Sequence, residues 1–164
     1  MKPKDLVRLP KVVTEKGSWK VVTGKAKMPA TAFPLSKNFS LQLGRNYHWR
    51  VDAAQADGLN FRILTAYQPD LEEYRAWLAI PRGSAHAVVA QLEFHGTHPG
   101  WHCHIACCDL DEVEAGQGHP RSAMRLPGGN NKHRRKEFDM TDSSALAKAF
   151  NFFSVTGAPE GAMV

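Results

Sequence analysis

Apolar and polar residues alternate along "AHAVVAQLEFHG" (85–96) and again along "WHCHIACCD" (101–109), with the turn chemistry of "THPG" between them. This pattern predicts two antiparallel strands joined as a hairpin, with Val88, Ala90, Leu92 and Phe94 on one face of the first. "NYHWRVDAA" (46–54) and "GLNFRILTAY" (58–67) predict two more strands. In "QPDLEEYRAWLAI", Pro69 and Asp70 suit a helix start, and Leu71, Tyr74, Trp77 and Leu78 fall on one helical face. A strand over "EYRAWLAI" is the alternative. "TDSSALAKAFNFFSV" predicts a closing helix capped by Thr141 or Asp142, with Ala145, Leu146, Ala149, Phe150 and Phe153 as its apolar face. Residues 1–40 mix the β-type runs "KVVTE" and "SWKVVTG" with Pro and Lys, as a hairpin or an added arm would. The expected organisation is a basic arm over 1–45, an α+β domain over 46–155 built on an antiparallel sheet with flanking helices, and a flexible tail over 156–164.

Length and composition narrow this picture. A chain of 164 residues, 43% hydrophobic and 23% charged, suits one domain with a real core. No apolar run approaches the ~20 residues of a membrane span, and the lysine-bearing N-terminus has no apolar signal-like stretch. Three cysteines, two of them adjacent, make no disulfide framework. A cytoplasmic protein with reduced thiols and no membrane partner is expected. The net charge is +5, and residues 1–45 carry ten Lys or Arg against two acids. Six more basic residues lie between Arg121 and Lys136 in a polar stretch with two Gly/Pro clusters. Such a distribution suits either a polyanionic partner or a solvated lysine-rich surface.

The chemistry is concentrated in "EFHGTHPGWHCHIACC" (93–108), which holds four of the eight histidines and all three cysteines. On a strand His102 and His104 point the same way, while Trp101, Cys103, Ile105 and Cys107 point the other. Glu93 and His95 share the polar face of the preceding strand. Paired in one sheet, Glu93, His102 and His104 would surround a divalent cation, Mn²⁺ or Mg²⁺, with Zn²⁺ also acceptable. A structural zinc site built from Cys103, Cys107 and Cys108 is the competing use. It is disfavoured because Cys103 and Cys107 face away from the histidines.

"LEFHGTHPGWHCHIAC" resembles the His-x-His strand motif of the HUH endonucleases, the rolling-circle initiators and plasmid relaxases, and "FRILTAYQP" (61–69) loosely resembles their first motif. The resemblance spans roughly residues 58–155. It implies a ferredoxin-like antiparallel core, metal ligands at Glu93, His102 and His104, single-stranded nucleic acid as substrate, and a tyrosine that becomes covalently attached to the 5′ phosphate. The final helix lacks the tyrosine of the initiators. Relaxases place it before the histidines, where Tyr67 or Tyr74 would serve. Without either, a metal-bound water would attack, with His95 or His133 as the proton-transfer group. A second resemblance is to the first cupin motif, through Gly96, His102, His104, Asp109 and Gly116, with Pro127, Gly129 and His133 further on. It implies a metal-dependent enzyme or sugar-binding module for a small molecule.

The expected function is metal-dependent cleavage of single-stranded DNA or RNA. Glu93, His102 and His104 would hold the metal, with His95, Tyr67 and Tyr74 as further catalytic candidates. Arg121, Arg125, Lys132, Arg134 and Arg135 would hold the phosphate backbone. A cupin-like small-molecule protein and a non-catalytic nucleic-acid- or partner-binding protein are the alternatives.

Overall fold

The structure is a computed structural model, and it describes residues 1–36, 41–95, 101–118, 120 and 140–157, with the backbone of 123–127. Its strands are β1 (Lys11–Glu15), β2 (Lys20–Val21), β3 (His48–Ala56), β4 (Leu59–Gln68), β5 (Glu73–Arg82), β6 (Ala85–Phe94), β7 (Trp101–Ala106), β8 (Ala123–Pro127) and β9 (Val155–Thr156). Among the described residues two α-helices accompany them, α1 (Pro3–Arg8) and α2 (Asp142–Phe152). All nine strands join one curled, mixed sheet in the order β8-β7-β6-β5-β4-β3-β1-β9, with β2 also paired to β3. The β1–β9 contact is parallel, and the ladders from β3 to β8 are antiparallel.

This corrects the ferredoxin-like α+β expectation: the fold is mostly β. The connections explain why. Asp57 and Gly58, both at positive φ (48° and 75°), close β3 onto β4 in a two-residue turn, and Gly83 (φ 60°) with Ser84 does the same between β5 and β6. Links this short make antiparallel neighbours and leave no chain for crossover helices.

The helix expected after Pro69 is strand β5. Gln68 Oε1 caps the start of a single helical turn, Pro69–Leu71, by accepting from the backbone N–H of Asp70 and Leu71, and Glu72 ends that turn in the left-handed region (φ 51°). The misleading stripe has a physical origin. β5 is buried on both faces, so Tyr74, Ala76 and Leu78 enter one core while Trp77 and Ala79 enter the other. A doubly buried strand reads as a near-continuous apolar run, which helical spacing fits equally well.

The first face of the sheet carries Phe61, Ile63, Tyr74, Leu78, Leu92, Phe94, Trp101 and Ile105. It is covered by Leu6 and Val7 of α1 and by Ala145, Ala149 and Phe153 at α2. Thr141 caps α2 by accepting from the Ser144 N–H at 3.2 Å. The second face carries Trp49, Leu64, Ala66, Trp77, Ala79 and Val88 under a cover of Val22, Met28, Phe33, Leu35, Leu41, Leu43 and Tyr47. The N-terminal third is therefore woven into the fold. β1 and β2 do not pair with each other; both pair with β3. Gly17 lies between them because a Cβ there would sit 2.0 Å from the Val51 carbonyl oxygen. At the other end β9 places Thr156 in the sheet, with its hydroxyl donating to the Lys11 carbonyl; residues 158–164 of the expected tail lie outside the described residues.

A β-bulge decides which residues reach the second face. The β5–β6 register steps from Leu78↔Ala90 to Ala79↔Val88, leaving Val89 without an opposite residue. Val89, Ala90, Leu92 and Phe94 face the first core, whereas Val88 faces the second, contrary to simple alternation from residue 85. The extra residue shifts the parity of the strand, so Glu93 emerges on the same face as His86 and Val88.

Candidate metal centre

β6 and β7 pair with Glu93 opposite His102 and Gln91 opposite His104, so the two strands form the expected antiparallel hairpin. Trp101, Cys103 and Ile105 enter the first core, and His102 and His104 take the second face with Glu93. His95 follows the last residue of β6. Its ring lies 5.6 Å from that of His102 at 28° between planes.

Three ligand atoms converge. Glu93 Oε2 is 2.9 Å from His95 Nε2 and 2.9 Å from His102 Nε2. One atom from each of the three side chains fits within a 4.8 Å span, as a shared cation requires. His104 does not join this group. It lies two residues further along β7, a step of ~7 Å, and its ring meets that of His102 edge-on at 5.5 Å. The converging third side chain is thus His95, in place of the expected His104.

The environment suits a charged centre. Burial opposes ionisation of Glu93, but the two imidazoles beside it outweigh that cost and hold its carboxyl down at about 2. The His102 side chain is only 5% exposed, and its buried Nδ1 has no hydrogen-bond partner among the described residues. Glu93 holds this enclosed imidazole at its other nitrogen, Nε2.

The tyrosine candidates belong to the first face. Tyr74 is fully buried, and its hydroxyl donates to the Ala145 carbonyl of α2 at 2.8 Å. Tyr67 donates to Asp142 Oδ1 at 2.6 Å and stacks on His48 at 4.6 Å. Burial pushes both phenols above their ordinary range, with Asp142 adding to the effect at Tyr67. Neither tyrosine is brought to the Glu93 group.

Of the expected phosphate-binding residues, Arg121, Lys132, Arg134 and Arg135 lie outside the described residues, as does His133. Arg125 is described by its backbone, which pairs with His104 across β7–β8. The cysteines do not form a site: Cys103 is buried in the first core and Cys107 is exposed. Asp109, the acid of the cupin-like pattern, pairs instead with Lys2 at 2.6 Å.

Sequence reasoning overlooked Arg75 and Glu73. Arg75 is opposite Glu93 in the β5–β6 ladder, and its Nη2 is 3.6 Å from Glu73 Oε2, which also accepts from the Tyr47 hydroxyl at 2.7 Å. The alternation of β5 is the signal that would have found them, once 73–82 is read as a strand. No described helix is long and apolar enough to cross a membrane. No protein-family model, curated protein or solved structure matches this chain.

Proposed function

We propose that this protein is a divalent-cation-dependent phosphodiesterase that cleaves single-stranded nucleic acid with water as the attacking group. The observation that carries the reading is the convergence of Glu93 Oε2, His95 Nε2 and His102 Nε2. Two imidazoles and one carboxylate leave coordination positions for water and substrate, and imidazole ligands favour Zn²⁺ or Mn²⁺ over Mg²⁺. A cation held there would polarise a phosphoryl oxygen and acidify a water.

The chain's own groups supply the rest. Glu93 keeps the two rings turned toward one point by accepting from both Nε2 atoms in the absence of a cation. His104, the next residue on that face, is the candidate for proton transfer to the leaving oxygen. Water is favoured over tyrosine because Tyr67 and Tyr74 are committed to α2 contacts on the other face. A polyanionic substrate is favoured by the sequence that flanks β8: Arg121 and Arg125 precede or lie within that strand, and Lys132, Arg134 and Arg135 follow it. β8 itself is the neighbour of the histidine-bearing strand.

Cleavage of single-stranded DNA and RNA oligonucleotides with Zn²⁺ or Mn²⁺ tests the proposal. Wild type should cut at least one of them. Glu93→Gln and His102→Ala should each lose at least about 100-fold in rate. Tyr67→Phe should remain active, with no covalent adduct. An inactive wild type, or a Tyr67→Phe variant that loses cleavage together with an adduct, contradicts it.

A further inference from the structure

The metal-ligand group continues sideways into a second charged element. Across the second face, Arg75 of β5, Glu93 of β6 and His102 of β7 occupy successive positions of one cross-strand row. Neighbouring strands lie ~4.8 Å apart, so a guanidinium on Arg75 is one strand removed from the carboxylate that the two imidazoles share. Glu73 holds Nη2 at 3.6 Å, and Glu73 is itself fixed by the Tyr47 hydroxyl. Arg75 Nε is buried and has no hydrogen-bond partner among the described residues. The side chain as a whole is 29% exposed, and an unspent donor on such a guanidinium is the kind of group a bound anion satisfies.

Charge points the same way. Glu73, Arg75 and Glu93 together carry one positive and two negative charges, a balance of −1 with neutral imidazoles. A divalent cation on Glu93, His95 and His102 would turn this to +1. A phosphodiester carries a single negative charge shared by two non-bridging oxygens. One of these can face the cation and the other a guanidinium, whose planar donors match phosphate geometry.

We infer that Arg75 is the anion-binding residue of this site, taking a non-bridging oxygen of a phosphodiester and selecting charged diesters over neutral esters. The inference rests on the metal reading of the same site, and it names the substrate class. Tyr47 and Glu73 are positioning residues that act through Arg75.

Dimethyl phosphate and the neutral trimethyl phosphate are the probes, titrated by phosphorus NMR into the full chain with and without Zn²⁺. Zn²⁺-loaded wild type should bind the diester and not the triester. Arg75→Gln should weaken diester binding about tenfold or more, the range of a lost charged hydrogen bond, with Zn²⁺ stoichiometry unchanged. Arg75→Lys, which keeps the charge and protects against loss of fold, should fall between the two. Diester binding in Arg75→Gln equal to wild type, or triester bound as well as diester, overturns the inference. A wild type that takes up no Zn²⁺ defeats the metal reading by itself. The metal-free titration then decides Arg75 alone: weaker diester binding in Arg75→Gln sustains the anion site, and no difference or no binding overturns it.

Discussion

The two faces of the sheet treat their buried charges in opposite ways. On the first face, Lys11 is fully buried, yet its ammonium donates to the carbonyls of Leu6, Leu9 and Phe153, where the C-terminal ends of α1 and α2 meet. Arg50 and the fully buried Asp52 form a two-pronged pair at 2.9 and 2.6 Å, and Asp52 also accepts from the Gly17 N–H. On the second face, His102 Nδ1 and Arg75 Nε are buried without partners among the described residues. Internal partners that close around a charge make it part of the architecture. Donors and acceptors left open beside Glu93, His95 and His102 are the groups that the proposed cation site would use.

The sharpest way to break this contrast is to damage the first face. Asp52→Asn leaves Arg50 buried without its counter-charge, and loss of one partner of such a pair costs about 3–5 kcal/mol. Urea unfolding should show that loss, while Zn²⁺ binding by the folded variant stays at the wild-type value. A loss below about 1 kcal/mol would mean that the pair is not architectural.

A smaller effect belongs to the second face, at the end away from the ligand group. His86 packs edge-on against Phe33 at 4.9 Å, and burial, with the charge of Arg62, pushes its imidazole down to about 4. The unfolded chain therefore binds a proton near the ordinary 6.5 while the folded chain does not. The His86 contribution to stability should be lost as pH drops from about 6.5 to about 4, by roughly 3 kcal/mol in total. His86→Phe should flatten that slope without changing cation binding. An unchanged slope in the variant would assign the acid sensitivity to other groups.

How much of this was legible in the sequence depends on how local the deciding interaction is. The β6–β7 hairpin and α2 with its Thr141 cap are set by neighbouring residues, and both could be read directly. β5 could not, because burial on both faces erases the period-2 signal that separates a strand from a helix. That misreading also hid Arg75, whose place beside Glu93 exists only through strand pairing. Val88 faces the second core against its alternation, because a bulge at Val89 leaves no mark in the pattern of residues. Period-2 alternation made Glu93, His95 and His102 legible as neighbours, but not the pairing geometry that leaves His104 outside the converging group.

Whether Glu93, His95 and His102 form one cation site is measured by calorimetric titration of tag-free protein with Zn²⁺ and with Mn²⁺. One cation should bind per wild-type chain. Both Glu93→Gln and His102→Ala should lose that binding, with the far-ultraviolet circular dichroism of each variant unchanged. A wild type that binds neither cation, or a His102→Ala variant that binds as tightly as wild type, would contradict that shared site and reduce the three side chains to a hydrogen-bonded pin of the β6–β7 hairpin.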